Sequence, residues 1–103
     1  MKDICNEKYL QAKDSGEIIP LFWVLEDSFS QISSATITIE VEIGIDTDPS
    51  TILLNAPIVQ NKEVIQLIQN GIPGVTYKII LDMLFSDNEL YTYVCYLPIN
   101  IEN

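Results

Sequence analysis

Histidine is absent from the 103-residue sequence. That removes the side chain most often used to move protons near neutral pH, and with it Ser–His and Cys–His pairs and His-ligated metal sites. Without such a base no activated nucleophile can be assembled, and no two of the fifteen Asp and Glu are marked by spacing as facing a cleft. No enzyme is expected, and no cofactor. Positive charge is scarce too: five Lys and Arg leave a net charge of −10. A surface of that sign repels phosphate backbones and anionic lipid heads, so nucleic acid and membranes are poor partners. No apolar run approaches the ~18 residues of a spanning helix, and Met1 to Glu7 lack the apolar centre of a secretory signal, which predicts a soluble protein. Cys5 and Cys95 are too few and too far apart in sequence for a zinc motif or a disulfide framework, and both are expected to be reduced.

Apolar material is plentiful. Hydrophobic residues make up 48% of the chain and charged ones 19%, which excludes a disordered tail and, at this length, predicts one folded domain over residues 1–103. The clearest periodicity is Ala35 to Ile45, where Ala35, Ile37, Ile39, Val41, Ile43 and Ile45 alternate with polar residues and Gly44; period two with β-branched residues is a strand with one wet side. Val75 to Phe85 and Leu90 to Ile99 form a hairpin closed by Ser86-Asp87-Asn88-Glu89. Glu17 to Leu25 reads as a more fully buried strand, with Pro20 at a bulge or a free edge because it cannot donate to a ladder. Shorter candidates are Tyr9 to Ala12 and Thr51 to Leu54. Asn61 to Gly71 suits either a capped helix or a strand on its own pattern; its neighbours are strands joined by turn signals, and that context makes it a strand. About seven strands in two packed antiparallel sheets result, with Trp23 filling the space between them.

The stretch Pro73-Gly74-Val75-Thr76-Tyr77-Lys78-Ile79 resembles the corner of immunoglobulin-like and fibronectin type III-like sandwiches, where a Tyr sends its hydroxyl back to the backbone upstream. It follows Lys13-Asp14-Ser15-Gly16-Glu17, Phe22-Trp23, Ile32-Ser33-Ser34-Ala35-Thr36 and Asn70-Gly71-Ile72. In that order the chain, from about Lys13 to about Pro98, is similar to a family of small tailed-phage virion structural proteins with an immunoglobulin-like fold, the fibre-to-tail adaptors among them. The resemblance implies an immunoglobulin-like sandwich in the virion, present in the host cytoplasm during assembly, that docks on a tail, baseplate or head–tail component. It implies no catalytic residue and no cofactor.

Several side chains invite a sharper reading. Trp23 is weighed as a partner anchor, but a lone Trp inside an apolar strand fills a core; Tyr77 is likewise core, with its corner hydrogen bond. Asp46, Thr47, Asp48 and Ser50 make an oxygen-rich loop without EF-hand spacing, and read as a solvated turn in place of a metal site. The hairpin says more. With Phe85 opposite Leu90, one face carries Tyr77, Ile79, Leu81, Met83, Phe85, Leu90, Thr92, Val94 and Tyr96 and is the core. The opposite face then carries Ile80, Leu84, Tyr91, Tyr93 and Leu97 as one apolar patch, too large for a surface meant only for water. A one-residue slip exchanges the faces. The patch is covered by the N-terminal segment, or it is the interface for another virion protein or a sister subunit. Exposed Tyr91 and Tyr93 also suit a carbohydrate-binding module, the second function considered.

Overall fold

Residues 7–25 and 30–101 are described by a computed structural model, and they build seven strands: β1 (Glu7–Tyr9), β2 (Ile19–Val24), β3 (Ile32–Ile43), β4 (Leu53–Gln60), β5 (Glu63–Ile68), β6 (Thr76–Phe85) and β7 (Leu90–Pro98). Four pair in the order β1-β7-β6-β3 and three in the order β2-β5-β4. The protein is all-β and two-layered, as its periodicity predicts. Every strand pair is antiparallel except β1 with β7, which run parallel.

Alternating Thr and Ile give β3 its two faces: Ala35, Ile37, Ile39 and Val41 turn inward, opposite the inward residues of β6. Register shifts lie between Ile32 and Ser34 and between Val41 and Ile43. The second shift ends the alternation, so Ile43 and Ile45, expected on the core face, are exposed at 56% and 81%. The run Glu17 to Leu25 also departs from expectation. β2 is an edge strand of a thin sheet, and only Ile19, Leu21 and Trp23 face inward, while Pro20, Phe22 and Val24 face out. Pro20 does stand on a free edge of the sheet order, where its missing N–H leaves no gap in a ladder.

The stretch Asn61 to Gly71 is a strand over Glu63–Ile68. Asn61 does not cap a helix; at φ +51° it begins a two-residue turn between the paired Gln60 and Glu63, a conformation that Asn tolerates better than most residues. Thr51 to Leu54 is not one strand, since Pro49–Ile52 form a 3-10 turn that hands over to β4 at Leu53. The first strand ends at Tyr9, where Tyr9 to Ala12 was expected.

Between the sheets lie two adjoining apolar clusters. One gathers Ile39, Ile52, Ile68, Val75, Tyr77, Ile79, Cys95, Leu97 and Ile99; the other gathers Leu25, Ile32, Val64, Leu81, Met83 and Phe85. Trp23 and Ile37 pack against both. Trp23 thus fills space between the sheets as expected, but from an edge strand it is half-buried. Cys95 is a buried free thiol; Cys5 lies outside the described residues.

Candidate interaction surface

The loop between β6 and β7 decides which side chains of the hairpin face out. Asn88 adopts the left-handed conformation at φ +68°, its N–H donates to Phe85 O at 2.9 Å, and Phe85 N–H donates to Glu89 O at 2.9 Å. Phe85 therefore faces Glu89 across a three-residue loop, Ser86-Asp87-Asn88, and Leu84 pairs with Leu90. This is one residue out of the register with Phe85 opposite Leu90. Because side chains alternate with period two, the slip moves all of β7 to the opposite face.

The five residues expected to form one patch are consequently divided. Ile80 and Leu84 face outward, half-buried and 38% exposed. Tyr91 and Tyr93 turn inward and pack against the cluster of Leu81, Met83 and Phe85, with the Tyr91 ring edge-on to Phe85 at 5.3 Å between centroids. Leu97 is wholly buried. The true outer face of this sheet alternates its rows. Ser34, Leu84 and Leu90 are followed by Thr36, Asp82 and Thr92, then Thr38, Ile80 and Val94, then Glu40, Lys78 and Tyr96. Thr92 Oγ1 donates to Asp82 Oδ1 at 2.6 Å, and Tyr9 stacks on Tyr96 with centroids 4.8 Å apart. Such a face is ordinary for a solvated antiparallel sheet.

The second sheet differs. Its outer rows are Pro20, Leu67 and Leu54, then Phe22, Ile65 and Ile58, then Val24, Glu63 and Gln60. Phe22, Val24 and Ile58 are exposed at 57%, 72% and 50%. This apolar sheet face went unread in the sequence. The signal was there in Val64-Ile65-Gln66-Leu67-Ile68, apolar in both parities apart from Gln66. The polar residue of that run points inward and the apolar Ile65 and Leu67 point outward, the reverse of the usual partition. Gln66 is wholly buried, on the inward parity of β5 with Val64 and Ile68. Its Nε2 donates to the carbonyls of Asn55 at 3.0 Å and Leu67 at 2.8 Å, while its Oε1 is buried without a hydrogen-bond partner among the described residues.

A cleft of about 400 Å³ opens beside Trp23, between the edge of β2 and the β1–β7 side of the other sheet, with Leu10, Leu21, Tyr93, Cys95 and Lys8 among its walls. Burial pushes the Cys95 thiol up to about 11, against a smaller opposing effect of the Lys8 ammonium. At neutral pH it is a thiol and a poor nucleophile.

The corner before β6 has the geometry that its sequence suggests. Tyr77 Oη accepts from the Ile72 N–H at 3.0 Å and donates to Asp46 Oδ2 at 2.7 Å. Burial first, and the Asp46 hydrogen bond second, push the Tyr77 phenol up to about 12. Gly71 at φ +105° has no room for a side chain: an added Cβ would stand 2.8 Å from Ile99 Cδ1. The acidic loop is spent on its own backbone and neighbours, with Asp46 Oδ1 accepting from the Asp48 N–H and Asp48 Oδ1 from Ser50 Oγ. Among the described residues no three His, Cys, Asp or Glu side chains are grouped to hold a metal ion.

Nothing in the sequence patterning pointed to the role of Lys13. It is buried, and its ammonium donates to the carbonyls of Asp14 at 2.7 Å, Ser15 at 3.3 Å and Asn70 at 2.8 Å. Its backbone bridges the chain end of β7 through Lys13 N–H to Pro98 O and Asn100 N–H to Lys13 O. One cation thereby ties the segment before β2 to the corner before β6. Desolvation lowers its pKa against the opposing fields of Glu17 and Asp14.

No protein family, curated protein or solved structure matches the chain.

Proposed function

We propose that this chain is an immunoglobulin-like sandwich serving as a structural or adaptor module of a tailed-phage virion, acting by protein–protein contact in the tail, baseplate or head–tail assembly. Strand order supports the fold assignment. β2-β5-β4 and β3-β6-β7 follow the B-E-D and C-F-G order of immunoglobulin-like sheets, with β1 added beside β7. The Tyr77 hydroxyl bonded to the Ile72 backbone supports it again. The single observation that carries the contact function is the exposed apolar face of the β2-β5-β4 sheet, since a face of that composition marks a place where another surface belongs. The virion assignment rests on the motif order from Lys13 to Pro98. The carbohydrate-binding reading drew on exposed Tyr91 and Tyr93, and both are turned inward, which takes away the stacking platform it needs there.

The test is the particle itself. Virions of a phage that encodes this chain should contain it in stoichiometric amount by mass spectrometry, and a cryo-EM map should show a two-sheet domain of this size at the tail, baseplate or head–tail junction. Purified particles that assemble and infect without the chain would refute the proposal.

A further inference from the structure

We infer that the outer face of β2-β5-β4 is the docking surface of this chain, and that its occupant is a different protein whose contact patch is apolar at the centre and ringed by Lys and Arg. The inference rests on the reading of the chain as a contact module and adds where contact is made and by what chemistry.

Seven of the nine side chains in the three outer rows are apolar: Pro20, Phe22, Val24, Leu54, Ile58, Ile65 and Leu67, against Glu63 and Gln60. Strands about 4.8 Å apart, each residue rising about 3.3 Å, give a face of roughly 14 by 20 Å, a footprint near 300 Å². A patch of that size is within the range of the largest one that a monomer exposes, and such patches are often functional. It is too small to hold two copies together unaided, because face-to-face pairing covers about 600 Å² in all where stable interfaces begin near 1,200 Å². Any stable complex has to run past the apolar rows onto the ends of the sheet, and there charge decides. Glu63 stands in the last row, beside Lys62 in its turn, and exposed Asp14 and Glu17 precede β2 at the other end. The buried cation there, Lys13, lies in the field of both acids and offsets one of them, which leaves that end with an excess of negative charge. In a chain of net charge −10, a second copy brings like charges to these ends. A partner with Lys and Arg around its apolar centre meets them favourably and is steered in by the same field.

The experiment uses the whole chain and two defined probes, an amphipathic peptide built from Leu and Lys and its counterpart built from Leu and Glu, followed by amide chemical shifts. The Leu–Lys peptide should shift signals along β2, β5 and β4, more weakly as salt is raised, and the Leu–Glu peptide should not. Phe22→Ser with Ile58→Ser should weaken Leu–Lys binding at least about tenfold at unchanged melting temperature; the wild-type shift map stands even if that variant is unstable. Shifts confined to the β1-β7-β6-β3 face, or to Leu10, Tyr93, Val94 and Cys95 across the Trp23 cleft from β2, overturn the inference, as does equal binding of both peptides. A wild-type dimer abolished by the double substitution also overturns it, by making a second copy the occupant. Incorporation into particles separates the two proposals. A chain absent from virions that still gives the expected peptide map loses the virion role and keeps the docking face. A double variant incorporated as well as wild type keeps the role and loses the face.

Discussion

Replacing Tyr77 with Phe removes one oxygen atom and leaves the ring in the core. The oxygen accepts from the Ile72 N–H at 3.0 Å and donates to Asp46 Oδ2 at 2.7 Å. A neutral hydrogen bond contributes about 1 kcal/mol net and one to an ionised group about 1.5–3. Both hydrogen bonds are partly buried, and the cost should be at least about 2 kcal/mol. For a domain of this size that lowers Tm by roughly 8–16 °C. Urea unfolding followed by the fluorescence of Trp23 measures it, and a cycle with Asp46→Ala should give a coupling of about 1 kcal/mol. The pH dependence is a second arm. The Tyr77 phenol is raised from 10.0 to about 12 in the folded protein, so its stabilisation is fully present below about pH 10 and is lost as pH climbs to about 12. Lys13, whose folded pKa is lowered below 10.5, acts with the opposite sign nearby; subtracting the Tyr77→Phe profile from wild type removes its contribution. A cost under about 0.5 kcal/mol with no coupling and identical alkaline profiles would refute the account of the corner.

Register is tested by charge. Leu84→Asp, on the outer face in either register, should change stability by no more than about 0.5 kcal/mol, whereas Leu97→Asp buries an unpaired carboxylate and should unfold the domain by circular dichroism; a Leu97→Asp variant as stable as Leu84→Asp places the hairpin in the other register. Lys13→Met keeps the buried stem and loses the ammonium, and should cost about 2 kcal/mol in urea unfolding as three carbonyls lose their donor. Cys95, with its thiol pushed up to about 11, should resist iodoacetamide at pH 8 in the folded protein and react readily in urea, as followed by mass spectrometry.

The residues that announced the fold were those whose signal is local. The Thr–Ile alternation of β3 and the polar turn after Phe85 depend on neighbours in sequence, and a strand and a hairpin formed there, with the alternation ending at the shift after Val41. The Tyr77 corner was legible because its hydroxyl reaches only five residues back. The interaction surface was not legible in the same way. Its patch was assigned to the hairpin because a four-residue turn was assumed; the left-handed Asn88 and the Phe85–Glu89 pairing shortened the loop by one residue and exchanged the faces of β7. The apolar run of β2 was read as buried on both sides, which holds only for a strand covered by two layers, and β2 is an edge strand of a sheet covered on one side.

Sequence by itself determined that this chain is all-β, because period-two patterning is a property of residue order and type. Tertiary structure alone decided which apolar face is left to solvent, since that depends on which strands pair and on which sheet covers them. It alone decided that Lys13 is an internal tie, since the Asn70 carbonyl that holds its ammonium lies 57 residues away. It also decided that Gln66 turns inward while Ile65 and Leu67 turn out, because the pairing of β5 with β2 and β4 fixes which of its two faces meets the other sheet. Each of these depends on partners distant in sequence, which a local pattern does not specify.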